Sequence, residues 1–165
     1  MEIEYKPEEP QAQNNMSNYI QNGGFEEQVQ YDPWQIPEWG GGGTVGVYEG
    51  YIGKAVYLYQ WSQRHRSGAI QIVNLDTSPM KLTFWIRPFP EGQSVGFEFL
   101  FDDIVLFEEN FTGNNQEYDW EKITIILEPE TGMHEIKFSV LTGPEYYPEN
   151  MSHVAIDEIS ITATN

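Results

Sequence analysis

Apolar and polar side chains alternate with a period of two along most of this chain, in short runs cut roughly every 8–12 residues by turn chemistry. That pattern constrains the fold more than any other feature. Successive side chains of a strand point to opposite faces, so residues i, i+2 and i+4 line one surface. Leu82, Phe84 and Ile86 therefore share a face, with Thr83, Trp85 and Arg87 on the other. Val95, Phe97, Phe99 and Phe101 form a second apolar stripe with Glu98 opposite; Ile123, Ile125 and Leu127 form a third, and Ile136, Phe138 and Val140 a fourth. In the run from Ala55 to Trp61, Val56 and Leu58 fit a core face, leaving Tyr57, Tyr59 and Trp61 as an aromatic stripe opposite. The last run slips phase: Val154 and Ile156 are even, Ile159 and Ile161 odd, and an extra residue near Asp157-Glu158 would keep all four inward, which predicts a β-bulge.

The turns between these runs are Gly40 to Gly43, Asp76-Thr77-Ser78-Pro79, Pro88 to Gly92, Thr112 to Asn115 and Thr142-Gly143-Pro144. A 3.6-residue period does not persist anywhere, so the expectation is an all-β protein with negligible helix: two antiparallel sheets packed face to face. At 165 residues the chain is long enough for one domain with its own core. Residues 1–17 lack apolar periodicity and read as a flexible acidic N-terminal tail; the sandwich is expected over 18–165.

The charge narrows the partners. Eight Lys and Arg against 26 Asp and Glu give a formal net charge of −18, which repels phosphate backbones and anionic membrane surfaces. Nucleic acid and membrane are thus not expected partners, while cations and neutral polar ligands are. There is no cysteine, hence no disulfide, thiolate metal site or Cys nucleophile. Neither a signal peptide nor an apolar run of the ~20 residues that cross a bilayer is visible.

Asn22-Gly23-Gly24-Phe25-Glu26, followed by Pro33-Trp34 and Trp39, resembles the opening of jelly-roll carbohydrate-binding modules of the galactose-binding-like type, the xylan- and glucan-binding families included. The later segments Trp120-Glu121-Lys122-Ile123-Thr124, Gly132-Met133-His134 and Ile156-Asp157-Glu158-Ile159 are similar to that family's closing strands, in the expected order. The resemblance implies a jelly-roll β-sandwich that binds a poly- or oligosaccharide without catalysis; the expected location is outside a cell or on a virion surface. It also implies a structural Ca²⁺ joining the first and last strands through Glu26 and Asp157; otherwise these two are solvated charges ending strands.

Saccharides are held by aromatic rings against pyranose faces and by charged or amide groups at the hydroxyls. On the parity opposite the core, the candidates are Tyr59, Trp61, Gln71, Trp85, Arg87 and Glu98, with Trp34, Trp39, Tyr146 and Tyr147 as loop aromatics walling the groove. Trp120 reads as a packing residue and His134 as structural. Two further readings stand beside this one. The first is a structural, adhesion or decoration protein of a bacteriophage virion, which reuses the same sandwich within a larger assembly. The second is a glycoside hydrolase or lyase, but among 26 acidic residues some carboxylate pair will fall at the ~5–9.5 Å that hydrolysis needs by chance alone. No Gly-x-Ser-x-Gly elbow or His-Glu-x-x-His motif is present. The chain is therefore read as a binding module, with a larger enzyme or a virion as its setting.

Overall fold

The computed structural model of the protein describes residues 18–26, 33–35, 44–59, 67–90, 94–113, 117–141 and 152–164. Trp39, Trp61, Tyr146, Tyr147, the tail at 1–17, the glycine run at 40–43 and the turn at 142–144 lie outside them. The described strands are β1 (Thr44–Glu49), β2 (Lys54–Tyr59), β3 (Ser67–Leu75), β4 (Met80–Phe89), β5 (Val95–Phe101), β6 (Ile104–Phe111), β7 (Glu121–Leu127), β8 (Gly132–Leu141) and β9 (His153–Ala163). No helix occurs among the described residues, and so none there is long and apolar enough to cross a membrane.

The strands form a five-stranded sheet of order β1-β2-β9-β4-β7 and a four-stranded sheet of order β3-β8-β5-β6. Every pairing is antiparallel. Among these strands only the β1–β2 and β5–β6 connections join neighbours in one sheet; the others pass from sheet to sheet, the wrapping of a jelly roll.

The apolar stripes meet between the sheets. Leu82, Phe84, Val95, Phe97, Phe99, Ile136, Phe138 and Val140 are all buried. Phe84 reaches across from the five-stranded sheet to Phe138, with ring centroids 5.1 Å apart, and Phe99 lies 5.1 Å from the same ring. The expected bulge is present: the β9–β4 register shifts between Asp157 and Ser160, and Glu158 takes φ 49°. All four of Val154, Ile156, Ile159 and Ile161 are buried as a result.

Two local features position the face described next. Strand β4 runs two residues further than its prolines suggest: β7 stops opposite Ile86, but β9 goes on pairing with Pro88 and Phe89 through Val154 and His153. On the other flank β2 pairs with β9 only as far as Ile156, and the opening segment takes over. The Tyr19 N–H donates to Ile161 O at 2.9 Å, Asn18 Oδ1 accepts from the Ile161 N–H at 2.9 Å, and the Ile159 N–H donates to Gly23 O at 3.0 Å. At the end of the other sheet, β6 is an edge strand among the described residues, with Ile104, Val105 and Leu106 exposed.

Candidate functional site

The outward face of the five-stranded sheet is set by register. On β9, His153, Ala155 and Asp157 point away from the core; they are flanked by Tyr59 and Tyr57 of β2 and by Phe89, Arg87 and Trp85 of β4. His153 lies between rings, 4.6 Å from Tyr59 and 4.6 Å from Phe89, and Tyr57 stacks 5.7 Å from Phe89. A row of four rings thus crosses three strands, beside a fully buried Ala155. Arg87 is held at its edge: Nε donates to Tyr118 O at 2.9 Å, and the guanidinium carbon sits 4.8 Å from the Phe89 ring centroid. Burial lifts the Tyr57 hydroxyl above its ordinary value, against the pull of Arg87, and that hydroxyl donates to Glu49 O at 2.7 Å. The rings cover one another's faces, so the row presents the apolar edges of Tyr57, Tyr59 and Phe89 around a buried His153, with a fixed forked donor next to them.

The turn between β1 and β2 folds over the same face. Tyr51 stacks on Trp85 with centroids 3.8 Å apart and planes 11° from parallel, and Trp120 meets Tyr51 edge-on at 6.1 Å. Beneath it, the Ile52 N–H donates to Asp157 Oδ2 at 3.0 Å and the Glu158 N–H to Oδ1 at 2.7 Å, while the Lys54 N–H donates to Glu26 Oε2 at 2.5 Å. Gly53 has φ 62°, and a β-carbon there would collide with the Glu26 carboxylate. Glu26 and Asp157, 131 residues apart in sequence, therefore bracket one turn. Asp157 is fully buried, and burial pushes its carboxyl up to about 6, with Glu158 and Glu26 adding to the shift. No lysine or arginine pairs with it among the described residues; both of its oxygens accept backbone N–H groups, and Glu26 is the second carboxylate at this turn. No group of three Asp, Glu or His side chains suited to a metal occurs among the described residues; the remaining oxygens would have to come from the backbone.

The sequence candidates are distributed unevenly. Tyr59, Trp85 and Arg87 share this face, although Trp85 is no open platform, since Tyr51 covers its ring. Trp34 is not a groove wall but core: it is 5% exposed, lies 5.7 Å from Phe25 and 6.1 Å from Phe138, and donates from Nε1 to Asn22 O at 2.9 Å. Gln71 is on the core parity of β3, with Ala69, Val73 and Leu75, and is 4% exposed. Its amide serves the backbone: Oε1 accepts from the Gln21 N–H and Nε2 donates to Gln21 O, both at 2.9 Å, standing in for a neighbouring strand. Glu98 does point outward, but from the four-stranded sheet, so it lies on the opposite side of the sandwich from Tyr59 and Arg87, and it is buried. One groove cannot use both. Tyr51, Phe89 and His153 were not among the candidates; Phe89 was hidden by its prolines, and Tyr51 and His153 stand outside any alternating run.

Solved structures share the two-sheet jelly roll. A family 61 carbohydrate-binding module (TmCBM61), solved in complex with β-1,4-galactotriose, is 20% identical with a TM-score of 0.63, covering 90% of this chain and 99% of that one. The CBM22-1 xylan-binding domain from Paenibacillus barcinonensis Xyn10C is 15% identical with a TM-score of 0.59, covering 91% and 97%. The enzymatically active domain of tailspike protein 4 of bacteriophage CBA120 is 14% identical with a TM-score of 0.50, covering 87% of this chain and 21% of that one. At these identities the likeness establishes the fold. No protein-family model and no curated protein matches the sequence.

Proposed function

We propose that the chain is a non-catalytic carbohydrate-binding module that holds a poly- or oligosaccharide on the outward face of the five-stranded sheet, and that it works outside a cell or on a virion surface. The row Tyr57-Tyr59-Phe89-His153 carries this reading: four rings packed against one another on an outward sheet face, with Arg87 fixed at their side. Likeness to modules solved with or named for galactotriose and xylan supports it. Affinity electrophoresis against β-1,4-galactan, xylan and mixed-linkage glucan tests it. Tyr59→Ala or Phe89→Ala is expected to cost on the order of 1–3 kcal/mol of binding, enough to abolish retention by a weak module. Arg87→Ala is expected to cost less but to change which glycan is preferred. Retention is expected to vary little with salt, since stacking on a neutral chain involves no Coulombic partner.

A second reading, a structural or adhesion part of a virion, is favoured by the likeness to the tailspike domain. Wild-type protein that none of the three polysaccharides retains selects it over carbohydrate binding. A structural Ca²⁺ at Glu26 and Asp157 forms part of the first reading, because the buried Asp157 carboxylate is tied to the turn that covers Trp85. Calcium is then expected to raise the melting temperature above that in chelator, and Asp157→Asn to remove the difference. Identical melts in calcium and in chelator reject the metal.

A further inference from the structure

Beyond the 50–53 turn, on the side away from the aromatic row, the same sheet face carries an open cavity of about 280 Å³. Thr83 and Trp85 of β4, Lys122 of β7, Glu158 and Ser160 of the β9 bulge, and the Gly23-Gly24 turn line it. Three features set it apart from an ordinary surface dent. Lys122 and Glu158 carry opposite charges on the walls of one cavity, yet neither forms an ion pair or a side-chain hydrogen bond with the other or with any described residue. Glu158 sits at φ 49°, a conformation that L residues rarely adopt, with its N–H tied to Asp157 Oδ1 at 2.7 Å. Its carboxylate lies over Gly24, where a β-carbon would come within 2.6 Å of Oε2, so the glycine is what leaves that carboxylate its place. On the floor, the Thr83 and Ser160 hydroxyls are hydrogen-bonded at 2.9 Å.

We propose that this cavity is a second binding site, which takes a single neutral pyranose ring: a free monosaccharide or the terminal residue of a glycan. Its volume is at the small end for ligand pockets, which run from about 300 Å³ upward, and suits one ring rather than a chain passing through. A sugar hydroxyl both donates and accepts, so one ring can accept from the Lys122 ammonium and donate to the Glu158 carboxylate while remaining uncharged. An anion would face Glu158, and a cation would face Lys122. Thr83 and Ser160 add a hydroxyl pair of the same dual character, and the Trp85 indole adds apolar wall. None of this depends on the aromatic row.

The test is chemical-shift mapping of the isotope-labelled full chain, titrated separately with D-galactose, D-xylose, D-glucose and, as the zwitterionic competitor, glycine. At least one sugar is expected to move the amides of Gly24, Glu158 and Ser160 and the Trp85 indole N–H in a saturable way. Lys122→Met and Glu158→Gln are each expected to weaken that binding about tenfold, the loss of one charge-assisted hydrogen bond. Lys122 is exposed and Glu158 half-buried, and neither has a side-chain partner among the described residues, so melting temperatures are expected to stay close to the wild-type value. Tyr59→Ala is expected to abolish polysaccharide retention and leave the monosaccharide shifts intact. Shifts confined to Tyr57, Tyr59, Phe89 and His153 overturn the second site while leaving the aromatic row in place. Saturable binding of glycine but of no sugar, or no pocket shift with any sugar, overturns it as well.

Discussion

His134 places both ring nitrogens against acceptors: Nδ1 is 2.6 Å from Asp102 Oδ2, and Nε2 is 2.5 Å from Glu130 O. A carbonyl can only accept, so the ring satisfies both contacts best as an imidazolium, stacked 4.9 Å from Phe101. Burial alone would lower the His134 pKa, but the Asp102 and Glu130 hydrogen bonds outweigh it and the net shift is upward. Asp102 moves the opposite way: burial raises it, yet the bonds from His134 and the Glu135 N–H hold it below its ordinary value. A raised histidine contributes stability that is complete below its unfolded pKa and is lost as pH rises through the folded one. A lowered aspartate contributes above its unfolded pKa and loses that as pH falls. The pair therefore stabilises most between roughly pH 4 and 6.5. His134→Gln is expected to cost about 1 kcal/mol at pH 6, given the half-exposed Asp102, and close to nothing at pH 9. Urea unfolding at the two values checks it; an equal loss at both removes the charge from the account.

The element that organises the face is the turn at 50–53, which carries Tyr51 onto Trp85 and two amides onto Asp157 and Glu26. Gly53→Ala must strain a φ of 62° and push on the Glu26 carboxylate. It is expected to cost about 1–3 kcal/mol and to uncover Trp85, seen as stronger acrylamide quenching of tryptophan fluorescence. An unchanged melt and unchanged quenching would show that the turn does not depend on its glycine. Nothing in the alternation along the chain announces this turn, because the stacking is a tertiary contact between residues 34 positions apart. Alternation did reveal the elements with one clean apolar stripe, such as Leu82-Phe84-Ile86 and Ile136-Phe138-Val140, and it located the bulge at Asp157-Glu158. It misassigned Gln71 because Ala69-Ile70-Gln71-Ile72-Val73 is apolar on both parities, so no face stands out. Trp34 lies in no alternating run, and a loop residue that inserts into the core leaves no periodic trace.

On the scale of the molecule, the charge of −18 and the buried Asp157 act in the same direction. Asp157 is shifted from an ordinary 3.8 to about 6 in the folded state, mainly by burial. A raised carboxyl favours the folded state while neutral; that contribution is complete below about pH 4 and is lost as pH rises through about 6. Repulsion among the excess carboxylates also grows over the same range. In chelator, the protein is expected to melt higher near about pH 5.5 than near about pH 8, and Asp157→Asn to shrink the gap, since the amide has nothing to ionise. A gap of the same size in Asp157→Asn assigns it to the general charge excess instead. Calcium bound at Glu26 and Asp157 would act chiefly at the higher pH, where the carboxylate it neutralises is ionised.

That preference for acid has a cost set by strand β6. Its outer edge exposes Ile104, Val105 and Leu106 beside backbone groups that no described strand pairs. Such an edge is a template for another copy of itself, and the shared negative charge of two copies opposes that pairing. The charge vanishes near the sequence pI of about 4.2. Acidification that firms up each molecule thus also removes the barrier between molecules, and concentrated solutions would cloud by strand-to-strand growth while every sandwich in them is still folded.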